Sequence, residues 1–438
     1  MVASFVLIVQ EVKHTRKNFR HLAAKLDPKS VESKSTSAIQ HEFSNLRFLF
    51  MGTSRSYGVH LPDRLNEAFP YLLSPKAVNL AIPGSTPPYA TKCAYSMVSP
   101  VEAGDAFDVV VLEYETFLPQ VLFLAKRLRQ RYPKAVIIVT EMWLLKRYVH
   151  QPTSKDMGTW SSEFTHATNE MDAKIAEIVQ ERTNVEDWKY IGSLYSDDMV
   201  KAFEQLGVHV IKAPVPSNAH EAIGVGYPLF IGDMHHFSRS GHVYMADLIL
   251  KDLRETRFRT THDNTIEPWD EQDQCETWFR TGETTLRHDK GFVMNEYSRG
   301  KFALEARAQE NWMRIINHSK EPRGLALERM VATPDCRYPS VQIDIVDSSE
   351  PPIVDKCPED APWPWQVNIA KELFIGKIPP GESTLHFKEL EQNKPWPYRV
   401  VGFSISKIEK GTHILGNAYI PGSMDCKLDK VLNKIECI

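Results

Sequence analysis

Three residues in this chain have the types and spacing for acyl chemistry. Ser54 follows Gly52 at the end of an apolar run, Leu46 to Met51. Asp233 and His236 stand three apart at the mouth of an expected helix in DMHHFSRSGHVYMADLILKDL, Asp233 to Leu253. A serine hydroxyl is a poor nucleophile until a base takes its proton. Imidazole does this near neutral pH, and a carboxylate can fix its tautomer and steady its charged form. The blander reading is a strand-to-loop turn carrying a satisfied serine. Asp233, His235, His236 and His242 also admit a reading as a metal cluster, since imidazole and carboxylate are common ligands. The serine arrangement accounts for the same residues with no metal and no organic cofactor. Ser56 is the rival hydroxyl. His242 reads as a packing residue at the helix start, and Cys93 as a small buried apolar side chain.

Positioning such residues needs a scaffold, and the pattern supplies one. Leu46–Met51 is apolar throughout, as expected of a strand covered on both faces. A hydroxyl at its carboxyl end sits where open α/β sheets place their chemistry. Strands are expected at Val78–Ile82, Val109–Leu112, Ala135–Val139 and Val208–Ile211. Helices are expected at Asp63–Ala68, Pro88–Val98, Leu118–Arg131, Thr165–Gln180 and Asp197–Leu206. This alternation predicts a parallel sheet.

Four stretches in order resemble the SGNH hydrolases, the GDSL-type esterases and lipases. GTSRSYG is similar to their first block, VNLAIPGST to the second with Gly84 as its glycine, FDVVVLE to the strand entering the third, and Asp233-Met234-His235-His236 to the closing DxxH. The resemblance covers roughly Asn45 to Glu255. It implies a three-layer, flavodoxin-like α/β domain with Ser54 as nucleophile, His236 as base and Asp233 as its orienting carboxylate. It also implies an oxyanion hole from the Ser54 and Gly84 backbone N–H groups. Two positions depart from the pattern. Thr53 replaces the usual aspartate, and Phe117 stands where the third block has an oxyanion-donating asparagine. Losing one such donor costs roughly two to three orders of magnitude in rate. Thr116 and Thr140 are hydroxyls that could stand in. Ester hydrolysis or O-acyl transfer on an acylated, for instance acetylated, carbohydrate is therefore expected. The alternative is an impaired SGNH-like protein that binds carbohydrate or acts as a scaffold.

The 438 residues exceed one core, so several segments are expected: an extension and linker over 1–44, the α/β domain over 45–255, a linker over 256–274, and an antiparallel β-sandwich over 275–438. The sandwich follows from short strand-like runs between Gly, Pro, Asn and Asp, and such a domain accompanies some algal, plant and fungal SGNH members. Val2–Val9 is apolar but too short to span a bilayer. With basic residues after it, it reads as a surface helix or the remnant of a signal-anchor. A net charge of -4 gives no reason to expect nucleic acid or an anionic membrane as partner. Five of the six cysteines, Cys275, Cys336, Cys357, Cys426 and Cys437, fall late in the chain. With one sequon at Asn317, this favours a secretory lumen, such as the Golgi, or the exterior, leaving the cytoplasm open. The tryptophans at 278, 312, 363, 365 and 396 read mostly as packing, with some left to stack on sugar rings. Oligomeric state has no signature here.

Overall fold

A computed structural model describes residues 45–85, 87–97, 107–114, 118–143, 197–214, 229–231, 235–255, 273–279, 282–289, 291–298, 301–333, 337–356, 367–391, 394–407, 426–427 and 436–437. The extension before residue 45 and the expected helix at Thr165–Gln180 lie outside these residues. Among the described residues no helix is long and apolar enough to cross a bilayer.

The first half is built on five parallel strands in the order β2-β1-β3-β4-β5. These are β1 (Phe48–Gly52), β2 (Val78–Asn79), β3 (Val109–Glu113), β4 (Val136–Glu141) and β5 (Val208–Lys212). Their side chains alternate between two apolar layers, which is why the strands read as continuous apolar runs. On one face Phe48, Phe50, Val109 and Val111 pack with Met245, Ile249, Leu250 and Leu253 of α7 (Arg239–Glu255). On the other, Leu49, Met51, Val110 and Leu112 pack with Val121, Leu122, Ala125 and Leu128 of α5 (Leu118–Arg131), and with Phe203 of α6 (Asp197–Gln205). The expected Asp63–Ala68 helix is the single turn α2 (Arg64–Glu67), and a second short helix the sequence did not mark, α3 (Phe69–Leu73), follows it. The break falls at Ala68, whose extended backbone delivers Pro70 to the start of α3. Strand β2 is shorter than the expected Val78–Ile82, yet the pairing runs on: Leu80 N–H donates to Phe50 O and Ile82 N–H to Gly52 O.

The second half is a sandwich of two antiparallel sheets. One has the order β13-β12-β15-β10-β7 and the other β14-β11-β16-β9-β8, with β6 added beside β16. The first contains β7 (Arg287–Asp289), β10 (Glu310–Asn317), β12 (Val341–Ile345), β13 (Ile353–Asp355) and β15 (Gly381–Glu389). The second contains β6 (Gln274–Thr277), β8 (Phe292–Ser298), β9 (Lys301–Ala306), β11 (Arg323–Thr333), β14 (Val367–Ile378) and β16 (Arg399–Ser406). Leu304, Met313, Ile315, Leu327, Ile343, Leu385 and Val400 fill the space between them. Strand β14 is long and lacks the sequence signal of a strand because Glu372 interrupts its apolar pattern. That carboxylate faces the α/β domain and pairs with Lys92 of α4 (Pro87–Met97).

The two halves share a junction core in which Ile82, Tyr89 and Cys93 pack against Phe279, Ala303, Met330, Ala370 and Val401. Cys93 is not the inert apolar residue expected from the sequence: it forms a disulfide with Cys275 of β6. Asn317 is also not a free glycosylation site, because its amide is buried and donates to the carbonyls of Glu321, Ile378 and Pro379. Trp278 is core, donating its indole N–H to Val400 O. Trp363 and Trp365 lie outside the described residues.

The disulfide closes a loop of 182 residues. Cross-links over long loops stabilise by about 2–5 kcal/mol, chiefly through the unfolded chain. Cys93→Ser in the full chain is expected to lower the unfolding free energy within that range in denaturant titration. An unchanged midpoint under non-reducing conditions would contradict this account.

Candidate active site

Strand β1 ends at Gly52, and the chain turns into a single helical turn, α1 (Ser54–Tyr57), that presents Ser54 at the carboxyl edge of the sheet. Gly52 is required by close approach: a Cβ there would lie 2.7 Å from both Glu113 O and Ser56 Oγ. The turn is organised around the Glu113 carboxylate, at the end of the neighbouring strand β3. Glu113 Oε2 accepts from the backbone N–H groups of Thr53 at 3.1 Å and Ser56 at 3.2 Å. It also accepts the hydroxyls of Thr53 and Ser56, each at 3.0 Å. Its other oxygen meets Arg55 Nη2 at 3.1 Å, with both side chains almost wholly buried. Ser56, the rival hydroxyl, is thus committed to Glu113. The Ser54 hydroxyl is left to the opposite side of the turn.

There it meets His236, whose Nε2 lies 2.8 Å from Ser54 Oγ. The backbone around His236 is pinned by a small antiparallel bridge between Phe230 and Phe237. Ile231 N–H donates to His236 O, and Ser238 N–H to Leu229 O, both at 2.9 Å. Helix α7 then begins at Arg239, with Ser238 Oγ accepting the Gly241 N–H as an N-cap. Gly241 lets the helix approach this bridge, since a Cβ there would fall 2.1 Å from Leu229 O. Arg55 packs over the Phe237 ring at 5.1 Å, tying the serine turn to the residue after the histidine. Asp233 lies outside the described residues.

Two further imidazoles touch His236 edge-on, His235 at 4.8 Å and His60 at 5.0 Å between ring centroids. His60 holds a left-handed backbone, φ 73°, a conformation that histidine tolerates better than most residues. His242 is fully buried under the site, stacked on Phe69, and its Nδ1 accepts the Phe69 N–H at 3.2 Å. Burial, helped by the positive character of His236 and Arg55, pulls its pKa down to about 3. It is therefore neutral at physiological pH. Among the described residues no group of three His, Cys, Asp or Glu side chains is placed to hold a metal ion.

The Gly84 turn leaves the sheet edge beside β1. Asn79 ties it back, donating to Ser56 O at 2.8 Å and accepting the Ala81 N–H at 3.1 Å. The sandwich holds it from the other side: Ala370 N–H of β14 donates to Gly84 O at 2.6 Å. Thr140 is buried, with its hydroxyl donated to Leu112 O at 3.3 Å. Phe117 and Thr116 lie outside the described residues.

Glu113, Arg55 and Asn79 were missed as site residues by sequence reasoning. A signal was available for Glu113, a charged residue closing a wholly apolar strand. Nothing local marked Arg55 or Asn79, whose partners are distant in sequence.

No family model matches the chain, and no curated protein matches it in sequence. Among solved structures it is similar to a two-domain esterase active on acetylated mannans, co-crystallised with mannopentaose. The identity is 12% and the TM-score 0.46, over 83% of this chain and 91% of that one. It is also similar to a phospholipase A1 from Streptomyces albidoflavus (13% identity, TM-score 0.31, 47% of this chain and 98% of that one). A putative GDSL-like lipase from Parabacteroides merdae matches at 14% identity and TM-score 0.28, over 48% of this chain and 95% of that one. Likeness at this level assigns no activity.

Glu113→Ala would leave the Arg55 charge buried without its carboxylate, a change that costs about 3–5 kcal/mol. Denaturation of the variant is expected to show a loss of that size; one below about 1 kcal/mol would mean that the pair does not organise the turn. His242 supplies a pH test. Its folded pKa, about 3, lies below the ordinary value of 6.5, so the unfolded chain takes up the proton first. The resulting stability is complete above pH 6.5 and is lost as pH falls toward about 3. The slope is up to about 1.4 kcal/mol per pH unit. His242→Gln is expected to flatten the acid limb of stability against pH, and an unchanged limb would refute the assignment.

Proposed function

We propose that this protein is a serine-dependent ester hydrolase or O-acyltransferase acting on an acylated carbohydrate. The 2.8 Å contact between Ser54 Oγ and His236 Nε2 carries the reading, because it places a base where a serine proton must leave. Ser54 Oγ attacks the ester carbonyl carbon while His236 takes its proton. The carbonyl oxygen becomes an oxyanion, held by the backbone N–H groups of Ser54 and Gly84. The intermediate collapses, the sugar alcohol leaves with the proton from His236, and an acyl-serine remains. Water then regenerates the serine in hydrolysis; a second sugar hydroxyl does so in transfer. Asp233 orients His236 and steadies its charged form.

Several features support this reading. Glu113 consumes Ser56 and fixes the turn but leaves Ser54 Oγ to the imidazole. Among the described tryptophans, Trp312 and Trp396 of the sandwich are partly exposed, and exposed aromatic side chains suit contact with sugar rings. The Phe117 substitution favours a slowed enzyme over a fast one, since one oxyanion donor is replaced by an apolar ring.

A fluorophosphonate probe tests the proposal. The native chain is expected to label at Ser54, and Ser54→Ala and His236→Ala to lose the label. Turnover of p-nitrophenyl acetate is expected to fall on the order of a thousand-fold or more in either variant. Folded native protein that does not label would replace this reading with a carbohydrate-binding protein that keeps a vestigial site.

A further inference from the structure

At the junction of the two halves lies a cavity of about 290 Å³. Pro83 supplies its α/β wall, and Tyr297, Lys301, Met330, Trp396 and Arg399 supply the sandwich side. Pro83 immediately precedes Gly84, so the cavity adjoins the turn assigned to the oxyanion. We propose that it is a subsite for an anionic sugar unit, one bearing a carboxylate or a sulfate, in the glycan that carries the ester. The proposal rests on the acyl-transfer reading for the words "carries the ester"; recognition of the anionic sugar rests on the cavity alone.

Three observations point to a charged sugar and not an acyl tail. The first is positive charge with unused capacity. Among the described residues the Lys301 ammonium has neither a hydrogen bond nor an ion pair, and burial lowers its pKa, so a bound anion would relieve its desolvation. Arg399 spends its Nε on Glu305 at 2.8 Å, and Arg307 shares the same carboxylate, so one negative group faces two guanidinium groups. The second is the aromatic lining. The Arg399 guanidinium lies 4.7 Å from the Tyr297 ring centre and 5.6 Å from that of Trp396, and Arg337 lies 5.1 Å over the same indole. These contacts set aromatic rings among the charges, a combination that suits a sugar ring with an acidic substituent. The third is an unmet donor. The Tyr297 hydroxyl is buried without a hydrogen-bond partner among the described residues, and burial keeps it protonated. A buried polar group left unpaired is costly, and a sugar hydroxyl or an anionic oxygen would satisfy it. The volume lies at the small end of the roughly 300–1,000 Å³ of ligand sites, which sizes the ligand to about one ring.

The test is calorimetric binding of three unacylated oligosaccharides to the full chain: tetragalacturonate, a sulfated carrageenan tetrasaccharide, and neutral mannotetraose. None carries an acyl ester, so the result is independent of Ser54 and of labelling by the fluorophosphonate. At least one anionic oligosaccharide is expected to bind ten-fold or more tightly than the neutral one, and which of the two binds identifies carboxylate or sulfate. Lys301→Gln and Trp396→Ala are each expected to weaken that binding ten-fold or more. If either variant fails to fold, raising salt from 50 to 500 mM on the native chain is expected to weaken anionic binding several-fold. Equal affinity for all three sugars, no binding of either anionic sugar, or anionic binding insensitive to both Lys301→Gln and salt would each overturn the proposal. In any of these cases labelling at Ser54 could still stand, and loss of labelling would not touch the sugar result.

Discussion

The Glu113 carboxylate is the constraint from which the rest of the site follows. It closes the central strand of the parallel sheet, pairs in register with Gly52, and gathers five donors from three residues of one turn, Thr53, Arg55 and Ser56. Desolvating a carboxylate is expensive unless its lone pairs are filled, and here they are. What is left over defines the chemistry. The donors on either side of Ser54 point at Glu113, so the Ser54 side chain faces away from it and toward His236. A conformation that a short turn could not hold alone is fixed by burying one charge and surrounding it. The Arg55–Phe237 contact extends the same cluster to the histidine arm, so imidazole and hydroxyl are placed by a shared set of buried groups.

The second half of the chain takes part in the same construction. The Gly84 turn is anchored from the sheet side by Asn79 and from the sandwich side by Ala370. Helix α4, which follows the turn, is fastened to the sandwich by the Cys93–Cys275 disulfide and the Lys92–Glu372 pair. These three attachments lie within ten residues of Gly84 in the first domain. For the oxyanion role proposed for Gly84 a rigid attachment matters, because such donors stabilise charge only when they are already in place as it develops. The sandwich thus acts as a strut for one wall of the site.

Much of this was legible in the sequence, and the exceptions share a cause. The parallel strands and the helices α4, α5, α6 and α7 announce themselves by local periodicity, and Ser54 and His236 by short motifs with helix or strand context. The features that escaped depend on contacts between distant segments. Strand β14 carries Glu372 because Lys92 waits 280 residues earlier, so its local pattern is broken for a reason outside the strand. Cys93 looks like an apolar residue because its helix is apolar there; only the placement of β6 reveals its partner. Asn79 and Arg55 look like ordinary polar residues next to a motif. The short β2 shows the converse, a strand whose apolar run outlasts its regular geometry while two backbone bonds continue the pairing.

The charge inventory around Ser54 and His236 bears on the proposed chemistry. When Ser54 loses its proton, His236 becomes a cation, and any neighbouring positive charge opposes that step. Arg55 is the nearest fixed cation in this cluster, and Glu113 matches it at 3.1 Å. His242, packed beneath the same residues, could add a second cation, but burial holds it neutral. His60 and His235 meet the His236 ring edge-on. The buried cation beside the site is thus matched by a buried carboxylate, which lowers its opposition to the proton transfer proposed for His236. The buried member of this histidine-rich cluster thus adds no charge that would oppose the proposed proton transfer.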